Sequence, residues 1–213
     1  MRIAIVLSGC GVFDGSEIHE AVACMLAVSR RGGECRFFAP DVELETIDHR
    51  TKKPDGTRRS VLSEAARLAR GEIRPLSDYK AEEHDGLLFP GGFGAAKNLC
   101  SFATDGAAMR VLPEVERAIR DTHRLGKPIG ALCIAPVLVA KVLGAKVTVG
   151  HDADTAEAIE KMGGRHEPSD HGRAVADEPN RVFTAPCYML PSTVAEIADD
   201  AQAVVNAMLA CLG

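Results

Sequence analysis

The sequence predicts an α/β fold: a doubly wound, mainly parallel β-sheet sandwiched by helices. Three apolar runs of strand length, at 2–8, 86–89 and 128–132, lack the polar alternation of a strand that has one face in water. Segments of helical periodicity lie between these runs, and glycine-rich turns join the two kinds of segment. Sheets of this kind place their functional sites beyond the carboxyl ends of the strands.

The N-terminal elements predict a β-α-β unit. The strand at 2–8 is followed by apolar residues at helical spacing over 18–29, which indicates the first helix. Asp14 and Glu17, three residues apart, predict a capping box at the start of that helix. Residues 34–39 form a second apolar run, so we expect the chain to return to the sheet there.

The stretch 40–78 has a looser pattern. Its sequence KPDG at 53–56 is typical of a turn, and residues 61–70 have the periodicity of a short amphipathic helix. We therefore expect this stretch to be an insertion on the main sheet.

The second half of the chain resumes the alternation of strands and helices. The predicted elements are a strand at 86–89, a helix within 111–125, a strand at 128–132, a helix over 134–143, a short strand at 146–149, a helix over 155–162, an antiparallel strand pair at 174–176 and 181–184, and a closing helix over 192–212. No repeat, low-complexity tract or linker interrupts the chain, so residues 1–213 are predicted to form a single domain.

Composition excludes several classes of partner. Lys and Arg number 25 against 30 Asp and Glu, a net charge of -5, and no basic block is present, so nucleic acid is not an expected partner. No apolar run reaches the roughly 20 residues of a membrane-spanning helix, and we expect neither a membrane partner nor an export signal.

Seven cysteines occur without a CxxC pair and without the Cys/His spacing of a zinc site. Most are expected to be reduced thiols that pack as small hydrophobic groups in a cytoplasmic protein. The histidines show no metal-ligand spacing either. The sequence therefore predicts no metal and no cofactor.

Cys133 lies between the strand ending at Leu132 and the next helix, a position that resembles the elbow turn displaying a nucleophile above an α/β sheet. Backbone N–H groups at the start of that helix are expected to favour the thiolate and to lower the pKa below about 8.5. The competing interpretation is a buried structural thiol.

Two backbone segments are candidates for stabilising a developing oxyanion. Residues 90–94 (PGGFG) follow another buried strand, and the N–H of Gly91 or Gly92, together with that of Ile134, is suited to this role. Gly11, in the glycine turn after the first strand, and Asn98, in the segment after PGGFG, are further candidates for substrate contact.

Glu17, Glu20 and His151 are the candidate acid–base groups. Both glutamates lie near the start of the first helix, and a carboxyl group close to Cys133 is predicted to have a raised pKa and to transfer protons. The alternatives are that Glu17 only caps the helix and that Glu20 is solvated. His151 follows the strand at 146–149 and is either a proton acceptor or a solvated loop residue.

Four segments of the chain together resemble the ElbB-like branch of the ThiJ/PfpI superfamily. This branch is also described as enhancing lycopene biosynthesis protein, or as isoprenoid biosynthesis protein with an amidotransferase-like domain. The segments are 5–20 (IVLSGCGVFDGSEIHE), 90–99 (PGGFGAAKNL), 133–136 (CIAP) and 184–190 (TAPCYML), in the same order and over nearly the whole chain.

The resemblance implies a flavodoxin-like sandwich, a homodimer, and glutathione-independent glyoxalase activity that converts glyoxal to glycolate. It implies that Cys133 is the nucleophile, and it favours Glu20 over Glu17 as its carboxyl partner while leaving Glu17 open. His151 matches a superfamily histidine with altered spacing. Related glutamine amidotransferases carry a catalytic histidine where this chain has TAPCYML, so glutaminase activity is disfavoured.

The sequence is compatible with two functions. The first is a cofactor-free glyoxalase, linked to isoprenoid biosynthesis through the family, in which Cys133 forms a hemithioacetal with a small aldehyde substrate, glyoxal or methylglyoxal, on the way to the 2-hydroxy acid. The second is a redox sensor or partner-binding protein in which Cys133 is oxidised without turnover. A peptidase would need a base beside Cys133 and room for a peptide, and the sequence establishes neither.

Overall fold

The computed structural model describes residues 1–212, in which strands and helices alternate as predicted. The strands are β1 (Arg2–Val6), β2 (Glu34–Ala39), β3 (Glu43–Asp48), β4 (Lys53–Ser60), β5 (Ile73–Pro75), β6 (Gly86–Phe89), β7 (Ile129–Leu132), β8 (Lys146–Val147), β9 (Arg165–His166), β10 (Val175–Asp177) and β11 (Val182–Ala185). The α-helices are α1 (Ile18–Arg30), α2 (Val61–Leu68), α3 (Phe93–Lys97), α4 (Phe102–Asp105), α5 (Pro113–Arg124), α6 (Pro136–Leu143), α7 (Ala153–Lys161) and α8 (Val194–Ala210).

The central sheet has seven strands in the order β10-β11-β7-β6-β1-β2-β5. All neighbouring strands are parallel except β10, which runs antiparallel to β11. One apolar core packs α5, α6 and α7 against one face, and a second packs α1, α2 and α8 against the other. This confirms the flavodoxin-like, mainly parallel sandwich, and it explains why the central strands are apolar throughout: both of their faces are covered.

The register of the sheet brings the candidate segments to one edge. Phe89 at the end of β6 pairs with Ala131 of β7, and Leu132 pairs with Ala185 at the end of β11. The glycine loop at 90–94, the turn at Cys133 and the segment after β11 therefore emerge side by side, as expected for the carboxyl ends of parallel strands.

The predicted turn at 53–56 is wrong, because these residues belong to β4, which forms an antiparallel hairpin with β3. The chain reverses just before it, where Lys52 has a φ of 59°. β4 is polar along nearly its whole length and contains a proline and a glycine, so it carries no strand pattern. Cross-strand ion pairs such as Arg58–Glu43, at 3.0 Å, accompany the pairing instead.

The predicted capping box is also wrong. α1 begins at Ile18, so Glu17 is itself the N-cap, and its Oε2 accepts a hydrogen bond of 2.8 Å from the N–H of Glu20. Asp14 is held by the hairpin, because its Oδ2 accepts a 2.8 Å hydrogen bond from the N–H of Ile47. Ile47 is 33 residues away in the sequence, so the spacing of residues near Asp14 does not reveal this partner.

The remaining differences concern short elements. The predicted strand at 146–149 is only β8, which pairs with β9 outside the central sheet, and the edge strand β5 and the short helices α3 and α4 were not predicted. Within residues 1–212, none of the helices combines the length and the apolar character that a bilayer crossing requires.

Candidate active site

Cys133 forms a strained turn between β7 and α6. Its φ of 59° lies in the left-handed region, which costs a non-glycine residue on the order of 1–2 kcal/mol. Its N–H donates a 3.0 Å hydrogen bond to the carbonyl of Ala185 on the neighbouring strand, and Pro136 begins α6 three residues later. The turn leaves the side chain 7% exposed at the base of a pocket.

The expected lowering of the Cys133 pKa is wrong. Burial raises the pKa of the thiol well above its ordinary value, and the nearby negative charge of Glu20 raises it further. The N–H groups of Gly92 and Ile134 point toward the sulfur and oppose this shift, as the sequence predicted, but they do not overcome it. Cys133 is therefore a thiol at rest, and its ionisation needs a proton acceptor.

Glu20 lies on the first turn of α1 and is completely buried against Cys133. Burial raises the pKa of its carboxyl to about 8, and the charge of Glu17 contributes in the same direction. Its Oε2 accepts a 2.8 Å hydrogen bond from the N–H of Gly91, whereas Oε1 has no partner of normal geometry. A buried carboxylate with an unpartnered oxygen is poorly solvated, so the acid form is favoured at neutral pH.

The raised pKa of Glu20 predicts a pH-dependent stability. In the unfolded chain this carboxyl titrates near 4.5 and in the folded protein near 8, so the stabilisation is complete below pH 4.5 and is lost as the pH rises through 8. The free energy of unfolding should therefore fall by up to about 1.4 kcal/mol per pH unit over this window, relative to Glu20→Gln.

Urea unfolding of wild type and Glu20→Gln at pH 5, 6, 7 and 8 measures this difference. The amide cannot titrate, and the other ionisable groups are common to both proteins, so the gap between the two curves isolates Glu20. Parallel curves from pH 5 to 8 would show that the carboxyl titrates normally.

Glu17 has the capping role that the sequence analysis left open, and it also faces the site. Its side chain caps α1, lines the pocket and lies 3.8 Å from His19 Nδ1. Its charge helps to raise the pKa of Glu20, so Glu17 favours the protonated form of its neighbour.

The backbone of the glycine loop after β6 lies directly against the side chains of Cys133 and Glu20. A Cβ atom added at Gly91 would stand 2.5 Å from the Cβ of Cys133 and 2.7 Å from Oε2 of Glu20. Because the N–H of Gly91 is bonded to Glu20, the N–H of Gly92 is the one that faces the sulfur together with that of Ile134. Gly92 has a φ of 95°, which requires glycine.

Three predicted site residues are not brought to the pocket. Asn98 Nδ2 donates to the carbonyls of Ser8 and Asp14, at 2.8 and 2.7 Å, and so ties the first loop to α3. Gly11, with a φ of 131°, forms the turn of that loop beside His49. His151 lies on the surface, where its Nε2 is 2.9 Å from Oδ1 of Asp170 and its side chain is 56% exposed.

The pocket above Cys133 has a volume of about 390 Å³. Its lining is Val12, Glu17, Gly92, Phe93, Ala96, Phe102, Ala103, Cys133, Ile134, Thr155, Tyr188 and Met189. Sequence reasoning did not single out the aromatic and aliphatic wall residues. The sequence did contain a signal for Tyr188 and Met189, because they follow a predicted strand and belong to the TAPCYML segment.

Asp200 fixes the backbone segment that carries Tyr188, one of the residues that line the pocket. The buried Asp200 carboxylate accepts a 2.9 Å hydrogen bond from the N–H of Cys187 and lies 2.8 Å from Nδ1 of His171. Cys187 has a left-handed φ of 44°, and the next N–H, that of Tyr188, is directed at Glu20. Asp200, with its partner His171, therefore supports the backbone that faces Glu20.

No group of three or more His, Cys, Asp or Glu side chains suited to a metal ion occurs among residues 1–212. All seven cysteines are free thiols in this part of the chain.

Comparison with known proteins identifies close relatives. The chain is 48% identical over its full length, and over 84% of the relative's length, to the human mitochondrial glutamine amidotransferase-like class 1 domain-containing protein 3. A crystal structure of an isoprenoid biosynthesis protein with amidotransferase-like domain from Ehrlichia chaffeensis superposes with a TM-score of 0.94 at 37% identity and covers both chains completely.

A more distant structure shares the fold alone. Glyoxalase III from Candida albicans superposes with a TM-score of 0.63 at 15% identity, covering 99% of this chain and 97% of its own. No protein-family model matches the chain.

Proposed function

The chain belongs to the family of glutamine amidotransferase-like class 1 domain proteins within the ThiJ/PfpI superfamily, and from this membership we propose that it is a cofactor-free glyoxalase. The observation that carries the proposal is the pairing of Cys133 with the buried acid Glu20, both in contact with Gly91. Glyoxalase III of Candida albicans has the same fold, which is compatible with this activity.

The reaction begins with proton transfer from the thiol of Cys133 to the carboxylate form of Glu20. The sulfur adds to the aldehyde carbon of glyoxal, the carbonyl π bond breaks, and Glu20 returns the proton to the oxygen. The N–H groups of Gly92 and Ile134 stabilise the negative charge that develops on that oxygen. The product of this step is a neutral hemithioacetal.

Glu20 then moves a second proton. Its carboxylate removes the proton from the hemithioacetal carbon and delivers it to the adjacent carbon, while the hydroxyl proton passes from the first oxygen to the second, and the adduct becomes a thioester of glycolate. Water adds to the thioester carbonyl, the carbon–sulfur bond breaks, and the thiol is restored. The net change is glyoxal plus water to glycolate, so no oxidant or cofactor is consumed.

The raised pKa of Cys133 weakens the alternative of a redox sensor. Sensor cysteines are exposed and ionised, whereas this thiol is buried and protonated at rest. An acid with a pKa near 8 beside it suits repeated proton transfer at neutral pH better than a single oxidation event.

Steady-state conversion of glyoxal to glycolate tests the proposal. Wild type should form many equivalents of glycolate per protein molecule, and Glu20→Gln should lower kcat by about 10²-fold or more because the amide cannot move protons. Glu17→Gln should retain most of the turnover because Glu17 acts through its cap and its charge. If wild type consumes only one equivalent of glyoxal per Cys133, the protein is a binding or sensor protein instead.

We propose a homodimer for this chain, as its superfamily resemblance implies. Ile18, Val22 and Leu26 form an exposed apolar stripe along α1, at the four-residue spacing of one helix face. Sedimentation velocity should give about twice the chain mass of 22.6 kDa. A monomer at micromolar concentration contradicts this.

The cellular setting is also a proposal. Seven free thiols suit a reducing compartment such as the cytoplasm, while the human relative is named a mitochondrial protein. The Ehrlichia chaffeensis protein is named for isoprenoid biosynthesis, which supports, by relationship, a link between this chain and that metabolism.

A further inference from the structure

The pocket is larger and more apolar than glyoxal requires. Glyoxal has four non-hydrogen atoms, whereas a cavity of about 390 Å³ lies in the range that encloses larger organic ligands. Beyond Cys133 and the backbone that faces it, most of the lining is hydrocarbon. A two-carbon dialdehyde would leave this wall in contact with water.

The apolar part of the lining comes from several segments of the chain. Phe93, Phe102 and Ala103 come from α3 and α4, and Ile134 and Met189 complete the surface around the sulfur. Phe93 is 50% exposed although it is a large apolar side chain, and a ligand in the pocket would cover part of it. The aldehyde of a ligand bound at Cys133 therefore has room for a hydrophobic substituent beside it.

The lining also excludes anionic substituents. It contains neither lysine nor arginine, and its one charged residue is the acidic Glu17. A carboxylate or phosphate on the substrate would lose its hydration among these residues, and Lys97, whose Nζ lies 5.5 Å from the centroid of the Phe93 ring, donates to the carbonyl of Phe13 instead. The site is therefore unsuited to acidic or phosphorylated aldehydes.

We propose that this pocket selects 2-oxoaldehydes that carry an uncharged apolar or aromatic substituent, in preference to glyoxal. The inference rests on the proposed function, because it assigns the substrate class of the same cysteine. For phenylglyoxal, the addition and proton-transfer steps give a thioester that water opens to mandelate. Atoms balance as for glyoxal, with one water consumed, and burial of the ring against Phe93 and Phe102 stabilises the transition state.

The first test compares kcat/KM for phenylglyoxal, methylglyoxal and glyoxal, with mandelate, lactate and glycolate as the measured products. Product formation is the readout because surface thiols and arginines also consume these aldehydes. The value for phenylglyoxal should exceed that for glyoxal by at least about 10-fold, the order of one buried apolar group. An equal or higher value for glyoxal overturns the inference while leaving the glyoxalase function intact.

A variant of one pocket residue tests whether the apolar lining causes the preference for phenylglyoxal. Ala103 is an exposed residue of α4 that lines the pocket, so Ala103→Phe narrows the pocket without disturbing the core. It should lower the ratio of kcat/KM for phenylglyoxal to kcat/KM for glyoxal by about 10-fold, because the added ring takes the space of the substituent. Ala210→Phe, at the exposed end of α8 and outside the pocket lining, is the matched control and should change neither value.

A binding measurement separates the inference from the proposed function. Acetophenone has the ring and carbonyl of phenylglyoxal but no aldehyde, and it should bind the Cys133→Ala protein in calorimetry or NMR titrations where acetone does not. Loss of this binding in Cys133→Ala/Ala103→Phe is the expected result. If no aldehyde is turned over but acetophenone binds in this way, the glyoxalase function fails and the apolar ligand class stands; if acetophenone does not bind, the ligand class fails.

Discussion

Replacing Cys133 with alanine should lower kcat/KM for glyoxal by at least about 10³-fold, because this sulfur is the one protein atom that bonds covalently to the substrate in the proposed reaction. The remaining pocket, acid and backbone N–H groups cannot replace a nucleophile that adds to the aldehyde carbon. The free energy of unfolding should change by no more than about 1–2 kcal/mol, since the strained left-handed φ of 59° is kept by either side chain.

Cys100→Ala is the control for this experiment. Cys100 is another buried free thiol, but it packs in the core on the face of the sheet that carries α5 and α6 and is not part of the pocket lining. Its variant should convert glyoxal at the wild-type rate. Comparable glycolate formation by Cys133→Ala and Cys100→Ala would remove Cys133 from the mechanism and point to nonspecific consumption by the other thiols.

The sheet and the position of Cys133 were predictable from the sequence, because local residue patterns determine both. An apolar run that ends at Leu132 and continues into a helix places Cys133 at the carboxyl edge of the sheet, and the structure has this turn. The same holds for the glycine loop after β6. The order of strands brings these segments together, and that order follows from the alternation of strands and helices.

The electrostatics of the site were not predictable in the same way. The pKa of Cys133 depends on burial by distant residues and on the charge of Glu20, which α1 brings from more than a hundred residues away. The sequence predicted backbone N–H groups at the start of the helix after Cys133, and these groups do lower the pKa of the thiol. Their effect is outweighed by desolvation, which becomes known only when the neighbours are placed.

His151 and Asn98 show a second limit of predicting site residues from the sequence. His151 follows a short strand, as predicted, but that strand pairs with β9 outside the central sheet, and the His151 side chain lies at the surface beside Asp170. Asn98 belongs to the right segment, yet its amide is occupied by two backbone carbonyls. Proximity to a strand end therefore predicts a site residue only when the side chain enters the pocket and is not occupied by another partner.

Gly91→Ala should reduce glyoxal turnover by about 10²-fold or more, because the added methyl group occupies the space between the two reactive side chains. Its Cβ would stand 2.5 Å from the Cβ of Cys133, 2.7 Å from Oε2 of Glu20 and 3.0 Å from the carbonyl oxygen of Leu132. The Cys133 Cβ and the Leu132 carbonyl oxygen are not ends of flexible side chains, and Oε2 of Glu20 is held by the N–H of Gly91, so the loop or the elbow must shift. We expect a stability loss of about 1–3 kcal/mol from overpacking.

Gly126→Ala separates this effect from the general cost of replacing glycine. Gly126 has a left-handed φ of 65° and nothing within 4 Å of an added Cβ, so alanine there should cost about 1–2 kcal/mol of stability and leave turnover unchanged. Glyoxal kinetics and urea unfolding of both variants measure the two effects independently. If Gly91→Ala loses stability as Gly126→Ala does but keeps its turnover, the close approach of Cys133 and Glu20 across the glycine loop is not what the reaction needs, and the acid–base partner must be sought elsewhere in the pocket.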